Sequence, residues 1–238
     1  MTAFAVLLAL LSAGAALAAI LRAGRREAAL RRSALADCEG LLDGVVRKIA
    51  PSGYGELRGR FGGLSARLVP ISEALVFRRL PQLWIAADVA RPAADGRAVE
   101  IVRRPTGTEF FTGAGALPLA YTPPPHWPQD TAVRGSGDAS SLLAELGPLL
   151  AEPLSDPKLK SVAVTPRGVR VVRQAAQGER ASYLLFRESR FAKRISVSDA
   201  EAALELAAAI ALRLAAQNSD ARKSDAQEPD AQDDVRAA

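Results

Sequence analysis

The chain has 238 residues, 49% of them apolar and 24% charged, with a formal charge of +5, proportions that fit a globular protein and exclude a collagen-like or wholly disordered one. Cys38 is the sole cysteine and His126 the sole histidine, which excludes an internal disulfide, a thiolate-rich zinc site and a metal site built on paired imidazoles. Aromatic residues make up 5%, so a core must come mainly from Leu, Val, Ile and Ala.

The first element begins at Thr2 and ends at Leu21, 20 residues without a charge. As a helix it measures about 30 Å, enough to cross the hydrocarbon of a bilayer. Six Leu with Phe4, Val6 and Ile20 favour insertion by roughly 0.3–0.6 kcal/mol each, while Thr2, Ser12 and Gly14 oppose it. Arg22, Arg25, Arg26, Arg31 and Arg32 follow the helix, and no basic residue lies ahead of it. Because Lys and Arg favour the cytoplasmic side, a single-pass signal-anchor in the inner (cell) membrane is expected, with the N-terminus outside and the bulk of the chain cytoplasmic. The arginine collar then meets anionic headgroups, each side chain contributing about 1 kcal/mol. The rival expectation is a cleaved signal peptide, since residues 4–11 form a short apolar stretch and Ala16-Leu17-Ala18 offers a small-residue cleavage site. Ala5, Ala9 and Ala13 recur every fourth residue, a spacing that lets helices pack closely in lipid and would serve a homodimer or a membrane-protein partner.

Residues 22–50 read as a basic juxtamembrane helix. Leu35, Cys38, Leu42, Val45 and Ile49 fall at steps of three and four, an apolar stripe on one helix face. Cys38 on that stripe is expected to be a small buried residue rather than a reactive thiol.

Residues 51–116 carry strand signals. Leu57, Gly59 and Phe61 alternate with Glu56, Arg58 and Arg60, then Gly62-Gly63 supplies a tight turn and Leu64, Ala66 and Leu68 resume the alternation. Runs at 75–77, 83–89, 99–102 and 109–112 extend this into an antiparallel meander, the last two paired across 103–108. The glycines at 53, 55, 59, 62 and 63 lack the spacing of a nucleotide loop and lead into a strand, so no phosphate site is expected there. Arg78-Arg79 has only Phe77 and Trp84 nearby, too few stacking aromatics for a nucleic-acid interface.

Residues 117–130 form a Pro-rich linker, with His126 and Trp127 inside Pro123–Pro128; Trp127 is expected to seat it on a domain surface. Residues 131–217 then read as an α+β region. Asp138 caps a helix over 139–146, and Pro148 kinks or opens a second turn. Strands follow at 158–165, 169–173 and 181–187. Ser198-Asp199-Ala200-Glu201 has the form of a capping box, opening a helix whose Leu204, Ala208, Leu212 and Ala215 should lie on this three-stranded sheet. Residues 218–238 hold six acids against three bases and are expected to be a disordered acidic tail.

The expected fold class is therefore α+β: a transmembrane helix and helical stalk, an antiparallel β-meander, and a second small α+β region with a three-stranded sheet and flanking helices. No catalytic, cofactor-binding or metal-ligating set is legible, no cofactor is implied, and no nucleic acid is expected as a partner. The favoured function is an interaction or scaffold module of a membrane complex, with the bilayer and a membrane protein as partners. An exported periplasmic binding protein is the first alternative. A tethered enzyme using carboxylates that only folding brings together is the second.

Overall fold

The computed structural model describes residues 2–73, 80–92, 96–107, 109–178, 180, 191 and 194–226. The fold is α+β, with an N-terminal helix, a nine-stranded antiparallel sheet and a C-terminal helix. Helix α1 (Thr2–Arg32) is continuous from the apolar segment through the arginine collar. Turns and a 3-10 segment (Ala36–Leu41) follow, and then the sheet begins.

The strands are β1 (Asp43–Ile49), β2 (Gly55–Phe61), β3 (Leu64–Ser72), β4 (Gln82–Ala90), β5 (Ala98–Arg103), β6 (Leu119–Tyr121), β7 (Thr131–Ser136), β8 (Leu159–Thr165) and β9 (Gly168–Gln177). Across the sheet they run β1-β2-β3-β4-β9-β8-β5-β7-β6. Gly62 and Gly63 turn β2 into β3 at φ 54° and 80°, the left-handed conformation that glycine adopts without a Cβ penalty. Among the described residues, helices α2 (Ala139–Leu150) and α3 (Val197–Ala226) accompany the sheet. Leu68, Ile85, Ala87, Val162 and Val171 on one face of the sheet are buried with Leu142 and Leu146 of α2, Leu204 and Ala207 of α3, and Leu35 and Cys38 of the 3-10 segment. On the opposite face a smaller cluster of Trp84, Ala86, Phe111 and Val172 lies beside an open trough.

Several expectations change. The helix predicted over 22–50 ends at Arg32, and 43–49 is an edge strand. Val45, Val46 and Ile49 are β-branched residues suited to a strand, and β2 offers an antiparallel partner in register with Val46 and Ile49. Leu35, Cys38 and Leu42 are buried as the stripe foretold, but Ile49 is 59% exposed. The two sheet regions are one sheet, because β4 pairs with β9 and β5 with β8. Residues 109–112 form a turn rather than a partner for β5, whose edges are taken by β7 and β8. The Pro-rich segment contributes β6 to the sheet edge, and Trp127 is buried with its indole N–H donating to the Gly147 carbonyl at 3.4 Å. Asp138 caps α2 by accepting from the Ser141 amide, and the helix passes through Pro148 to Leu150.

The cap of α3 lies two residues earlier than the capping box suggested: the Ser196 hydroxyl accepts from the Asp199 amide at 3.1 Å. Its buried face runs through Ala200, Ala203, Leu204, Ala207, Ala211 and Leu214, whereas Leu212 is 52% exposed. The helix continues to Ala226, past the predicted boundary at 217. The predicted runs at 75–77 and 181–187, the Arg78-Arg79 pair and the tail beyond 226 lie outside the described residues.

Candidate functional site

Two features carry chemistry: the apolar helix and the open face of the sheet. Along α1 none of the apolar window is buried among the described residues, and its mean hydropathy is 2.5. Phe4, Leu10, Leu11 and Ile20 are each more than 60% exposed. The Ser12 hydroxyl donates to the Ala9 carbonyl at 2.9 Å, which removes its need for water. The helix is long and apolar enough to cross a bilayer, and a signal sequence near an N-terminus meets the same criterion. At its far end the collar joins the domain. Arg31 pairs with Glu27 at 3.1 Å and lies over the Tyr54 ring at 5.9 Å, while Arg32 donates to the Ala28 carbonyl.

The open face is organised by strand register. Side chains alternate between faces along each strand, so one transverse row crosses the sheet. Arg58 stands opposite Arg67, Arg67 opposite Asp88, and Asp88 opposite Arg170. The row continues to Ala163, Glu100 and Arg134. Like charges directly opposite repel, and Glu56 offsets this for the first pair by accepting from Arg58 Nε at 2.5 Å and from Arg67 Nη2 at 2.8 Å. Asp88 accepts from Arg170 Nε at 2.5 Å and Nη2 at 3.0 Å, a bidentate pair.

The charged row is interrupted at Ala163, whose methyl leaves a gap between Arg170 and Glu100. There the surface opens into a trough of about 770 Å³, lined also by Ser65, Ala90, Thr165 and Gly168 and by Arg167 at the β8–β9 turn. Glu100 forms its buried end, with the residue 4% exposed. Burial pushes its carboxyl up to about 7, against the lowering effect of the Gly113 amide and the Arg170 charge. In Glu56 burial acts in the same upward sense, but the hydrogen bonds from Arg67 and Arg58 outweigh it and hold the carboxyl below its usual range.

The loop between β5 and β6 walls this face. Phe111 packs on Trp84 with ring centroids 5.8 Å apart. Lys160 Nζ reaches the Arg103 carbonyl, the Arg104 carbonyl and Glu109, at 3.0, 2.7 and 2.7 Å.

The residues singled out from the sequence do not gather here. Cys38 is buried and its thiol is pushed up to about 11, by burial first and the Asp37 charge second, which suits a packing role. His126 is exposed and lies edge-on to the Trp127 ring. Among the described residues no three His, Cys, Asp or Glu side chains cluster as a metal site. The charged row was missed because Arg58, Arg67, Asp88 and Arg170 occupy ordinary positions on the open face of the sheet, and the burial of Glu100 depends on neighbours distant in sequence. The signal in the sequence was weak: Arg67 and Asp88 are the sole charged residues of β3 and β4, whereas Arg58, Glu100 and Arg170 share their strands with other charges.

The fold and these features define an α+β protein with one exposed apolar helix and a charged trough on the free face of its sheet. No family model matches the chain, and no curated protein matches its sequence.

Proposed function

We propose that this is a single-pass membrane protein whose sheet domain lies on the cytoplasmic side and serves as an interaction or scaffold module of a membrane complex. One observation carries the proposal: an uncharged 20-residue segment is not buried against any of the described residues, and lipid is a medium that would remove its apolar surface from water. The arginines from Arg22 to Arg32 favour retention of that end on the cytoplasmic side and lie within reach of anionic headgroups. Ala5, Ala9 and Ala13 give the helix a small-residue face for a second helix, from another copy or a different membrane protein. Tethering raises the effective concentration of the domain near such partners.

Alkaline extraction together with paired C-terminal reporters tests this. Retention in the membrane pellet, with a reporter active in the cytoplasm and an inactive alkaline phosphatase, supports the proposal. An active phosphatase fusion and a mature chain starting near Ala19 would instead establish export, for which Ala16-Leu17-Ala18 is the cleavage candidate. Purification in mild detergent should recover a second copy or an integral-membrane partner in stoichiometric amount; a lone monomer in every detergent counts against the scaffold role.

A further inference from the structure

We propose that the trough over Ala163 binds a small molecule bearing carboxylate or phosphate oxygens, held by the guanidinium groups of Arg58, Arg67, Arg167 and Arg170. This site stands independently of the side of the membrane on which the domain lies.

Four guanidinium groups line the space, and two carboxylates, Glu56 and Asp88, engage three of them. Arginine presents five N–H donors. Asp88 takes two from Arg170, and Glu56 takes two from Arg67 and one from Arg58, so the pairs do not exhaust the donors. Glu100, the third acid, is buried and holds its proton up to about 7, so below that pH it adds little negative charge. The lining is therefore net positive and suits the oxygens of carboxylates and phosphates.

Shape agrees with charge. A ladder of surface ion pairs needs no cavity, yet this one breaks where Ala163 takes the place of a long side chain, and the gap opens into about 770 Å³. That volume is typical of small-molecule sites. The bordering row of Ser65, Ala90, Gly168 and Thr165 is small enough to let a ligand approach the backbone, and Phe111 supplies an apolar wall. Glu100 adds a hydrogen-bond donor while protonated. The charged groups facing it are Arg170 on β9 and, opposite it on β7, Arg134, whose Nε and Nη2 donate to the Leu117 and Pro118 carbonyls; the loop contributes the Gly113 amide. An anion beside Glu100 strengthens its hold on the proton, so affinity falls as pH rises through about 7.

Isothermal titration of the full chain in non-ionic detergent, with pyrophosphate and with citrate as probes at pH 6 and pH 8, tests the site. Two variants accompany it: Ala163→Leu, which fills the gap without altering charge, and Arg167→Glu, which reverses charge at the turn. The expected result is binding of at least one probe with Kd near or below about 1 mM, stronger at pH 6 and weakened roughly tenfold or more by each variant. Binding of pyrophosphate alone assigns a phosphate ligand, and binding of citrate alone a carboxylate ligand. Should neither probe bind at pH 6, or should both variants bind as the wild type does, the proposal is overturned. Circular dichroism of each variant without probe verifies its fold, and Arg167→Glu, at an exposed turn, provides the comparison if Ala163→Leu unfolds.

Discussion

Lys160→Met asks whether one buried cation holds the loop over the free face of the sheet. The charged side chains of Lys160 and Glu109 are 5% and 8% exposed, and Nζ makes three hydrogen bonds. Burial raises the Glu109 carboxyl, but the bond from Lys160 and those from the Thr106 amide and hydroxyl overcome this and take it from 4.5 to about 2. A shift of that size corresponds to about 3 kcal/mol if unscreened. Thr106 supplies part of it, and solvent at the loop's outer side screens the rest, which leaves roughly 1–2 kcal/mol for Lys160. Methionine also strands the Glu109 carboxylate and two carbonyls, so the total loss at pH 7 is about 3 kcal/mol, at the low end for breaking a buried pair.

Urea unfolding of the full chain in detergent, followed by tryptophan fluorescence, measures this, since Trp84 lies under the loop. Glu109 has a depressed value in the folded state, so its stabilisation is present above pH 4.5 and is lost as pH falls from there toward about 2. The variant should lose most of that acid limb, and Lys160→Met with Glu109→Gln should recover part of the loss at pH 7. A single variant within about 0.5 kcal/mol of wild type, with its acid limb unchanged, would refute the assignment.

Three further outcomes follow from the same geometry. Glu100 has a raised value when folded, so its contribution is full below about 4.5 and declines as pH rises through about 7; Glu100→Gln should flatten that decline and exceed wild type by about 2 kcal/mol at pH 8 in the same unfolding assay. Gly55→Ala would place a Cβ 2.3 Å from the Arg32 carbonyl, a backbone clash where α1 meets the sheet; a loss of about 1–3 kcal/mol is expected, and a thermal midpoint equal to wild type would contradict it. Leu11→Lys puts a charge in the middle of the apolar segment at a cost of about 2.5–3.5 kcal/mol of insertion, so the alkali-resistant membrane fraction should drop sharply, and an unchanged fraction would show that lipid does not hold this helix.

Much of the local structure was legible. The hairpin at Gly62-Gly63, strands β4, β5, β8 and β9, and the Asp138 cap follow from alternation, turn residues and a capping side chain, all of which act within a few residues. Where two local signals competed, the sequence misled: the three-and-four spacing from Leu35 to Ile49 describes a helix, yet its second half forms a strand because β2 offers backbone partners. On α3 the expected stripe is buried at Leu204 and Ala208 but not at Leu212, which is exposed while Leu214 is buried, where the helix packs on β4 and β9 of one large sheet.

By itself the sequence determined what depends on composition along the chain: the uncharged 20-residue run and the arginines after it, a single cysteine that allows no internal disulfide, a single histidine that allows no imidazole pair, and most strand positions. The tertiary structure alone decided that β4 pairs with β9 and β5 with β8, which makes one sheet of two regions. It also set Asp88 against Arg170, 82 residues apart, and left Ala163 as the gap in a charged row. Register between distant strands arises from burying one face of every strand together and from pairing their backbones, a collective outcome that no single segment encodes.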